Sequence, residues 1–233
     1  MAVVFGGLTI ANVAGVPMGA LIGQQFGWRA AFAVIAVLAV VSLVAVAVLV
    51  PRVPASRPGP LCGELRVFGR PRLWVALAVT ALSQTALFAT FAYLAPLLTR
   101  GTGFPAGAVP VLLVVFGVGT VIGTTLGGRS ADRNVAATLT GGLAALALVL
   151  AAFGLVGHHR VATVAALVAF GIAGFFINPA LQTQAIRLAE GAPSLASVVN
   201  VAAFNLGNAA GPWLGGLALG AGADELTLRS SAP

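Results

Sequence analysis

The stretch from residue 12 to residue 23 reads NVAGVPMGALIG, and it places Gly15, Gly19 and Gly23 four residues apart in an apolar run. Glycine and proline weaken a helix, by about 1 and 3 kcal/mol relative to alanine. On a helix the three glycines share one face with Asn12. In a membrane, such a face lets two helix backbones approach closely. The stretch therefore predicts a membrane helix that packs tightly against a neighbour.

The composition indicates a membrane protein. Hydrophobic residues make up 59% of the chain and charged residues 7%, whereas soluble domains carry about 25% charge. The net charge of +7 comes from arginine alone, and the arginines lie between apolar runs, which argues against a nucleic-acid partner. Cys62 is the only cysteine, so an intramolecular disulfide and a CxxC metal site are excluded. We expect membrane lipid as a partner, and neither a metal nor a cofactor.

Seven apolar segments are close to the length of about 20 residues that a bilayer helix needs. Lipid offers the backbone no hydrogen-bond partners, so these segments must be helical. We therefore predict an all-α membrane protein with seven transmembrane helices. The segments are 3–24, 30–50, 73–98, 107–127, 135–156, 161–186 and 195–220.

One long polar segment, 51–72, interrupts the apolar runs. It contains five prolines and five arginines, which predicts a linker on the membrane surface, with a short interfacial helix between Glu64 and Arg70. A cytoplasmic linker places eight of the twelve arginines inside and four outside, as the positive-inside rule favours. The polar tail, 221–233, is predicted to follow the last span on the outer side.

The spaced glycines recur in two later segments. They form three glycine strips that fall on the first, fourth and seventh segments. Asn12, Gly15 and Gly19 also match Asn208, Gly211 and Gly215 at a constant offset (208 − 12 = 196). Two parallel six-helix halves would give such an offset; an accidental match between glycine-rich helices is the alternative. The strips are Gly15, Gly19 and Gly23; Gly119, Gly123 and Gly127; and Gly207, Gly211 and Gly215.

Four stretches together resemble the major facilitator superfamily of transporters, in its twelve-helix drug:proton antiporter group. The chain is similar to the chloramphenicol, arabinose and purine-nucleoside exporters of that group. One departure is that Val16 separates Gly15 from Pro17, which the family's fifth helix usually has together. The stretches are GLTIANVAGVPMGALIGQQFGWRAAF (7–32), YLAPLL (93–98), GGRSADR (127–133) and LASVVNVAAFNLGNAAGPWLGG (195–216).

The resemblance covers residues 1–220 and implies a partial major facilitator fold, helices five to eleven of twelve. Residues 1–50 would be the last two helices of the N-terminal half, and 73–220 the C-terminal half without its last helix. The glycine strips would then lie between the halves, and missing helices of the same fold would be partners. The resemblance further implies a multi-pass protein of the bacterial cell membrane that exports a small molecule or drug, driven by a proton gradient.

Residues 128–133 connect two predicted helices. Within them, the candidate functional residues are Gly128, Asp132 and Arg133. The resemblance implies a cytoplasmic latch that opens and closes as the two halves rock. An ordinary positive-inside turn is the alternative reading.

Neutral polar and aromatic residues mark a candidate substrate cavity, which would suit an uncharged, partly apolar molecule. Some share a face of segment 73–98, two flank Pro179, and one lies on the last segment. Hydrogen bonding between helices, or a structural kink at Pro179, would explain them equally well. The candidates are Thr80, Gln84, Phe91, Tyr93, Asn178, Gln182 and Asn205.

No predicted span contains an acid, although proton carriers need an ionisable group inside the membrane. We therefore expect that this chain does not transport unaided. A truncated remnant that docks on another membrane protein, and a sugar or nucleoside efflux carrier without drug activity, are the alternatives. No nucleophile with a base lies within a span, so an enzyme is not expected. The acids are Glu64, Asp132, Glu190, Asp224 and Glu225.

Overall fold

The computed structural model describes residue 15 and residues 17–49, 66–156, 159–189 and 192–230, and within these ranges every regular element is helical. Helix α1 covers residues 17–26 and α2 covers Trp28–Leu49. Gly27 joins them with φ of 82°, a value that glycine adopts without steric cost. Asn12 and residues 51–65 of the predicted linker lie outside the described residues.

The next elements begin with a short 3₁₀ turn, Arg66–Gly69, where the sequence predicts an interfacial helix from Glu64 to Arg70. Helix α3 covers Pro71–Ala92, and single turns at Leu94–Pro96 and Leu97–Gly101 extend it beyond Tyr93. Helix α4 covers Val109–Arg133, preceded by a 3₁₀ turn at Ala106–Ala108. Helix α5 covers Val135–Val156.

The predicted segment 161–186 is one span broken into two helices, α6 (Arg160–Phe176) and α7 (Asn178–Leu188). The break falls at Ile177, two residues before Pro179, as expected from a residue that lacks an N–H. The Ile177 N–H donates to the carbonyl of Phe175. This bond satisfies the acceptor that Pro179 leaves without its usual helical donor.

Helix α8 covers Pro193–Ser230. It therefore continues ten residues past Gly220, where the sequence predicts that the span gives way to a polar tail. Polar residues do not by themselves end a helix, and neither proline nor glycine occurs between Gly222 and Ser230 to stop it.

Five helical stretches among the described residues are long and apolar enough to cross a membrane: Trp28–Leu49, Pro71–Ala92, Ala106–Arg133, Val135–Phe153 and Arg160–Leu188. They correspond to five of the seven predicted segments. Most of the first segment lies outside the described residues. The last, in α8, contains Asn200, Asn205 and Asn208, which lower its hydropathy. The count of seven spans stays a prediction.

Two close helix pairs organise the bundle, α3 with α8 and α4 with α6, while α5 lies against α6. Leu94, Leu98, Leu167, Phe170 and Ile177 are essentially inaccessible in the core between them. In lipid, such packing replaces the hydrophobic effect as the main source of helix association. Helix α2 differs, since none of its residues is buried against the described part of the chain.

Candidate functional site

A chain of hydrogen-bonded side chains joins α3, α7 and α8 in the middle of the bundle. Asn200, which is fully buried, accepts a hydrogen bond from Thr80 at 2.9 Å and donates one to Gln182 at 2.7 Å. Gln182 in turn donates to Ser197 at 2.5 Å. Each of these four side chains thus has a hydrogen-bond partner, which an apolar surrounding requires.

A second amide pair lies beside the helix break. Gln84 of α3 donates to the side-chain oxygen of Asn178, the first residue of α7, at 2.9 Å. Gln84 is 2% exposed, so water cannot readily replace this partner. The pair fixes the start of α7 against α3 next to Ile177, where the helical backbone hydrogen bonds are interrupted.

The structure thus brings together Thr80, Gln84, Asn178 and Gln182 of the predicted cavity residues. They bond to other helices, which is the arrangement that the alternative reading describes, and their role towards a substrate stays a prediction. Asn205 lies apart from them. It is exposed and donates to the carbonyl of Val201 in its own helix at 3.1 Å.

The two aromatic candidates, Phe91 and Tyr93, pack against different helices. The Phe91 ring lies 5.1 Å from that of Phe116, and the Phe116 ring lies 5.5 Å from that of Phe170, so Phe91 is part of an aromatic cluster between α3, α4 and α6. Tyr93 points towards α8 instead, and its hydroxyl donates to the carbonyl of Pro212 at 3.0 Å. Residues two apart on a helix point to nearly opposite sides, which is why Phe91 at the end of α3 and Tyr93 just after it serve different contacts.

The second glycine strip packs against α6. A Cβ placed on Gly119 would lie 2.7 Å from the carbonyl oxygen of Val168, and one on Gly123 would lie 2.9 Å from the Cα of Ile172. Gly127 meets the backbone of Phe176 in the same way. Real Cβ atoms do not approach backbone atoms this closely, so the absence of side chains permits the contact.

The third glycine strip packs against α3. A Cβ on Gly211 would lie 2.7 Å from the Ala89 nitrogen, and one on Gly215 would lie 2.7 Å from the Tyr93 ring. Both strips therefore meet helices of the same predicted half, and their expected role between the two halves stays a prediction. Spacing identifies a face for close packing, but it does not identify the neighbour. A Cβ on Gly15, Gly19 or Gly23 has no described atom within 4 Å.

The predicted latch lies at the end of α4. Asp132 and Arg133 are exposed in its last turn, and a Cβ on Gly128 would meet nothing within 4 Å. Asn134 caps α5, because its side-chain oxygen accepts the N–H of Ala137 at 3.1 Å. Sequence analysis missed this cap, although asparagine before an apolar helix is a common N-cap signal. The latch itself stays a prediction.

Ionisable side chains in the described structure lie at the helix ends. Arg29 and Arg72 are second residues of α2 and α3, Arg160 begins α6, and Arg187 is in the last turn of α7. Asp132, the one acid with a described side chain, is at the end of α4. The interiors of the described spans are thus uncharged. No cluster of three potential metal-ligating side chains occurs in this part of the chain.

The five long apolar helices and this uncharged, amide-bonded interior indicate a multi-pass membrane protein. Residues 1–212 match the family model of the Major Facilitator Superfamily. The chain belongs to this family.

Relatives from several bacteria are similar along nearly the whole chain. The inner membrane transport protein YdhP of Escherichia coli is 38% identical over 95% of this chain and 57% of its own length. The chloramphenicol resistance protein of Streptomyces lividans is 36% identical over 94% and 57%. The uncharacterized MFS-type transporter YtbD of Bacillus subtilis is 36% identical over 93% and 56%. The chain thus spans little more than half the length of these relatives.

Proposed function

We propose that this chain forms part of a secondary active exporter that moves a small organic molecule or drug out of the bacterial cell by alternating access. The observation that carries the proposal is the family match over residues 1–212. The similarity to a protein named for chloramphenicol resistance favours drug efflux over uptake. The uncharged amide and aromatic interior would suit an uncharged, partly apolar substrate.

The proposed substrate surface lies beside the break between α6 and α7. Asn178 and Gln182 follow Ile177, where the backbone ladder is interrupted, and Gln84 and Thr80 face them from α3. An amide side chain offers two donor hydrogens and two acceptor lone pairs, so Asn178 and Gln182 could bind a ligand while keeping the hydrogen bonds described above. This property supports a cavity role, while Asn205 would face a substrate from the exposed side of α8.

Proton antiport is the proposed energy source, and the proton-carrying group is proposed to lie in helices that complete the transporter. The described spans contain no acid in their interiors, and a proton relay inside a membrane requires one. The complete transporter would comprise seven helices of this chain, with the linker 51–72 in the cytoplasm, together with the missing helices of the same fold. Gly128, Asp132 and Arg133 would form its cytoplasmic latch.

A chimera tests this proposal directly. Residues 1–220 replace the aligned part of the Streptomyces lividans chloramphenicol resistance protein, and the product is expressed in bacteria that lack their own drug pumps. We expect chloramphenicol resistance that a proton uncoupler abolishes. The chain expressed alone is expected to give no resistance. A chimera that reaches the membrane, folds and leaves the cells fully sensitive contradicts the proposal.

A truncated remnant that docks on another membrane protein is the second candidate. It is favoured by α2, whose residues are all unburied, and by the first glycine strip, whose glycines have no described neighbours. Co-expression with the N-terminal part of a relative distinguishes the two candidates. Transport restored by the two separate pieces supports the transporter; stable association without transport supports the remnant.

A further inference from the structure

The closest backbone contacts divide the bundle into two groups of helices. In the first unit, the third glycine strip packs α8 against α3. In the second unit, the second strip packs α4 against α6, and a Cβ on Gly171 of α6 would in turn lie 2.6 Å from the Phe116 carbonyl oxygen of α4. Helix α5 lies against α6 and belongs to the second unit. Helices that meet backbone to backbone have little room to shift, so each group moves as one body.

Helix α7 is tied to the first unit by hydrogen bonds along its length. At its start, Asn178 accepts a hydrogen bond from Gln84 of α3 at 2.9 Å. In its middle, Gln182 accepts one from Asn200 of α8 at 2.7 Å. At its end, the Leu188 carbonyl accepts one from Arg70, just before α3, at 3.0 Å. The helix is therefore expected to move with α3 and α8.

The residue before α7 is held by the second unit instead. Ile177 is fully buried, and its Cγ2 lies in the space that a side chain at Gly142 of α5 would occupy. Asn178, the next residue, is bonded to α3. Two consecutive residues of one span are thus held by different units.

The backbone is weakest at this same point. Pro179 has no N–H, so the helical hydrogen bond across the break is missing. The Leu181 N–H donates to the Ile177 carbonyl at 2.9 Å, and this bond begins the separate hydrogen-bond pattern of α7. A few residues at the end of a helix are the usual place for a hinge, because they absorb changes in φ and ψ.

The contact of α7 with the second unit includes an apolar cluster that can slide. Ala180 packs with Ala131 of α4 and Val135 of α5, and sliding of such side chains breaks no hydrogen bond. The opposite end of the bundle is tied differently, since Arg160 of α6 donates to the Gly103 carbonyl in the loop between α3 and α4 at 2.8 Å. Movement is therefore expected at the end where α7 and α4 end.

We propose that Ile177 is a hinge at which the first unit, carrying α7, moves relative to the second. The amides Gln84 and Gln182 move with the first unit, whereas the rings of Phe116 and Phe170 move with the second. The hinge would thus change the width of the space between an amide wall and an aromatic wall. This consequence for a substrate rests on the proposed function; the hinge itself does not.

Distances between spin labels, measured by double electron–electron resonance, test the hinge in the full chain with Cys62→Ser. One label is at Arg187→Cys, exposed in the last turn of α7. The other is at Leu206→Cys in α8 or at Leu148→Cys in α5, two exposed leucines at matching heights in helices that begin at the same end. We expect one narrow distance for the pair within the first unit and an additional, longer distance for the pair between units. Equally narrow distributions overturn the proposal.

Two proline substitutions test the position of the hinge. Pro179→Ala supplies an N–H for a continuous helix and is expected to remove the longer distance between the Arg187 and Leu148 labels. Pro212→Ala, at the proline inside α8, is the matched control and is expected to leave both distributions unchanged. A longer distance that persists in Pro179→Ala, or that is lost in Pro212→Ala, contradicts a hinge at Ile177. If Pro179→Ala fails to fold, the two label pairs without it still decide.

The chimera described above extends the test to a complete set of helices. The same label pairs, with the other cysteines replaced by serine, are expected to keep their difference there, and its loss overturns the proposal. Because the labels report distances and not transport, a chimera that confers no resistance but keeps the difference contradicts the proposed function alone.

Discussion

Gly211 of α8 and Ala89 of α3 meet backbone to backbone: a Cβ on Gly211 would lie 2.7 Å from the Ala89 nitrogen and equally close to the Thr85 oxygen. Backbone atoms cannot rotate away as a flexible side chain can. A single methyl group at Gly211 must therefore push the two helices apart or distort one of them.

We expect Gly211→Ala to lower the free energy of unfolding by about 1–2 kcal/mol. Overpacking typically costs about 1–3 kcal/mol, and the better helix propensity of alanine returns part of this, up to about 1 kcal/mol. Unfolding in mixed micelles with increasing SDS, followed by circular dichroism, gives the measurement. Gly211→Leu should be worse, because a longer side chain must find still more space.

Gly141→Ala is the matched control for Gly211→Ala. Gly141 also lies inside a helix, α5, but a Cβ there meets nothing within 4 Å. The same change should therefore be neutral or stabilising by up to about 1 kcal/mol. Equal destabilisation by the two substitutions would show that helix propensity or lipid contact, rather than the approach of α3, governs Gly211.

The glycine strips show what the sequence could and could not predict. Spacing places Gly119 and Gly123 on one face, and the structure uses that face for a close contact. The neighbour is α6, about fifty residues further along the chain, and nothing in the spacing of a strip encodes its partner. Composition predicts where apolar helices run, because lipid leaves the backbone few choices. Composition does not predict the end of α8, because this helix continues beyond the apolar run into polar residues.

The hydrogen-bonded side chains between α3, α7 and α8 (the amide cluster) show the same limit: the sequence predicts a shared face but not its partners. The helical period brings Thr80 and Gln84 to one face of α3, so their common direction was predictable. Their partners Asn200 and Asn178 are 120 and 94 residues away in sequence. Only the fold brings them together. Ser197 was missed, although it lies one turn before Asn200 on the same face, which was an available signal.

Asn200→Leu is expected to destabilise the protein by about 1–2 kcal/mol. The substitution leaves Gln182 and Thr80 without their buried partner, which typically costs about 1–3 kcal/mol. The membrane lowers this figure, since hydrogen bonds between membrane helices average about 0.6 kcal/mol. The single Thr80 O–H can turn to the carbonyl of Ala76, which lies 3.1 Å from its oxygen, so Gln182 carries most of the loss. SDS unfolding again gives the free energy.

Asn205→Leu provides the comparison for Asn200→Leu on the same helix. Asn205 is exposed and bonds only within α8, to the Val201 carbonyl, so its replacement should change the free energy by less than about 0.5 kcal/mol. An Asn205 effect as large as that of Asn200 would mean that the cost arises from asparagine in this helix generally and not from the cluster.

The Tyr93 hydroxyl and Gly216 are predicted to be energetically coupled. A Cβ on Gly216 would lie 2.7 Å from the Tyr93 hydroxyl oxygen and 3.9 Å from the adjacent ring carbon. Gly216→Ala should therefore disturb the hydrogen bond from this hydroxyl to the Pro212 carbonyl. Tyr93→Phe removes the same bond and should cost about 0.5–1.5 kcal/mol, while the ring stays in place.

A double-mutant cycle measures this coupling. Gly216→Ala should be destabilising in the parent chain and nearly neutral in the Tyr93→Phe chain, where no hydroxyl obstructs the new methyl group. Additive effects of the two substitutions would contradict the predicted contact. The cycle compares the effect of Gly216→Ala with and without the Tyr93 hydroxyl, so contributions to the unfolding free energy that do not involve this contact cancel.

Arg160 holds the loop between α3 and α4. Its Nη2 donates to the carbonyl of Gly103 at 2.8 Å, and its guanidinium carbon lies 5.6 Å from the centre of the Phe104 ring. Gly103 has φ of 73°, a conformation that strongly favours glycine. The guanidinium thus fixes this turn from the start of α6.

Arg160→Lys should loosen this loop without changing the charge. Lysine lacks the planar fork that bonds a carbonyl and stacks on a ring together. We expect faster hydrogen–deuterium exchange in residues 101–108, including the Phe104 amide that donates to Leu98, and a global stability change below about 1 kcal/mol. Arg100→Lys, at an exposed arginine of the preceding turn, should leave the exchange unchanged. Because both variants keep the positive charge, a difference between them reports hydrogen-bond geometry and stacking, and identical exchange would assign the order of the loop to its backbone alone.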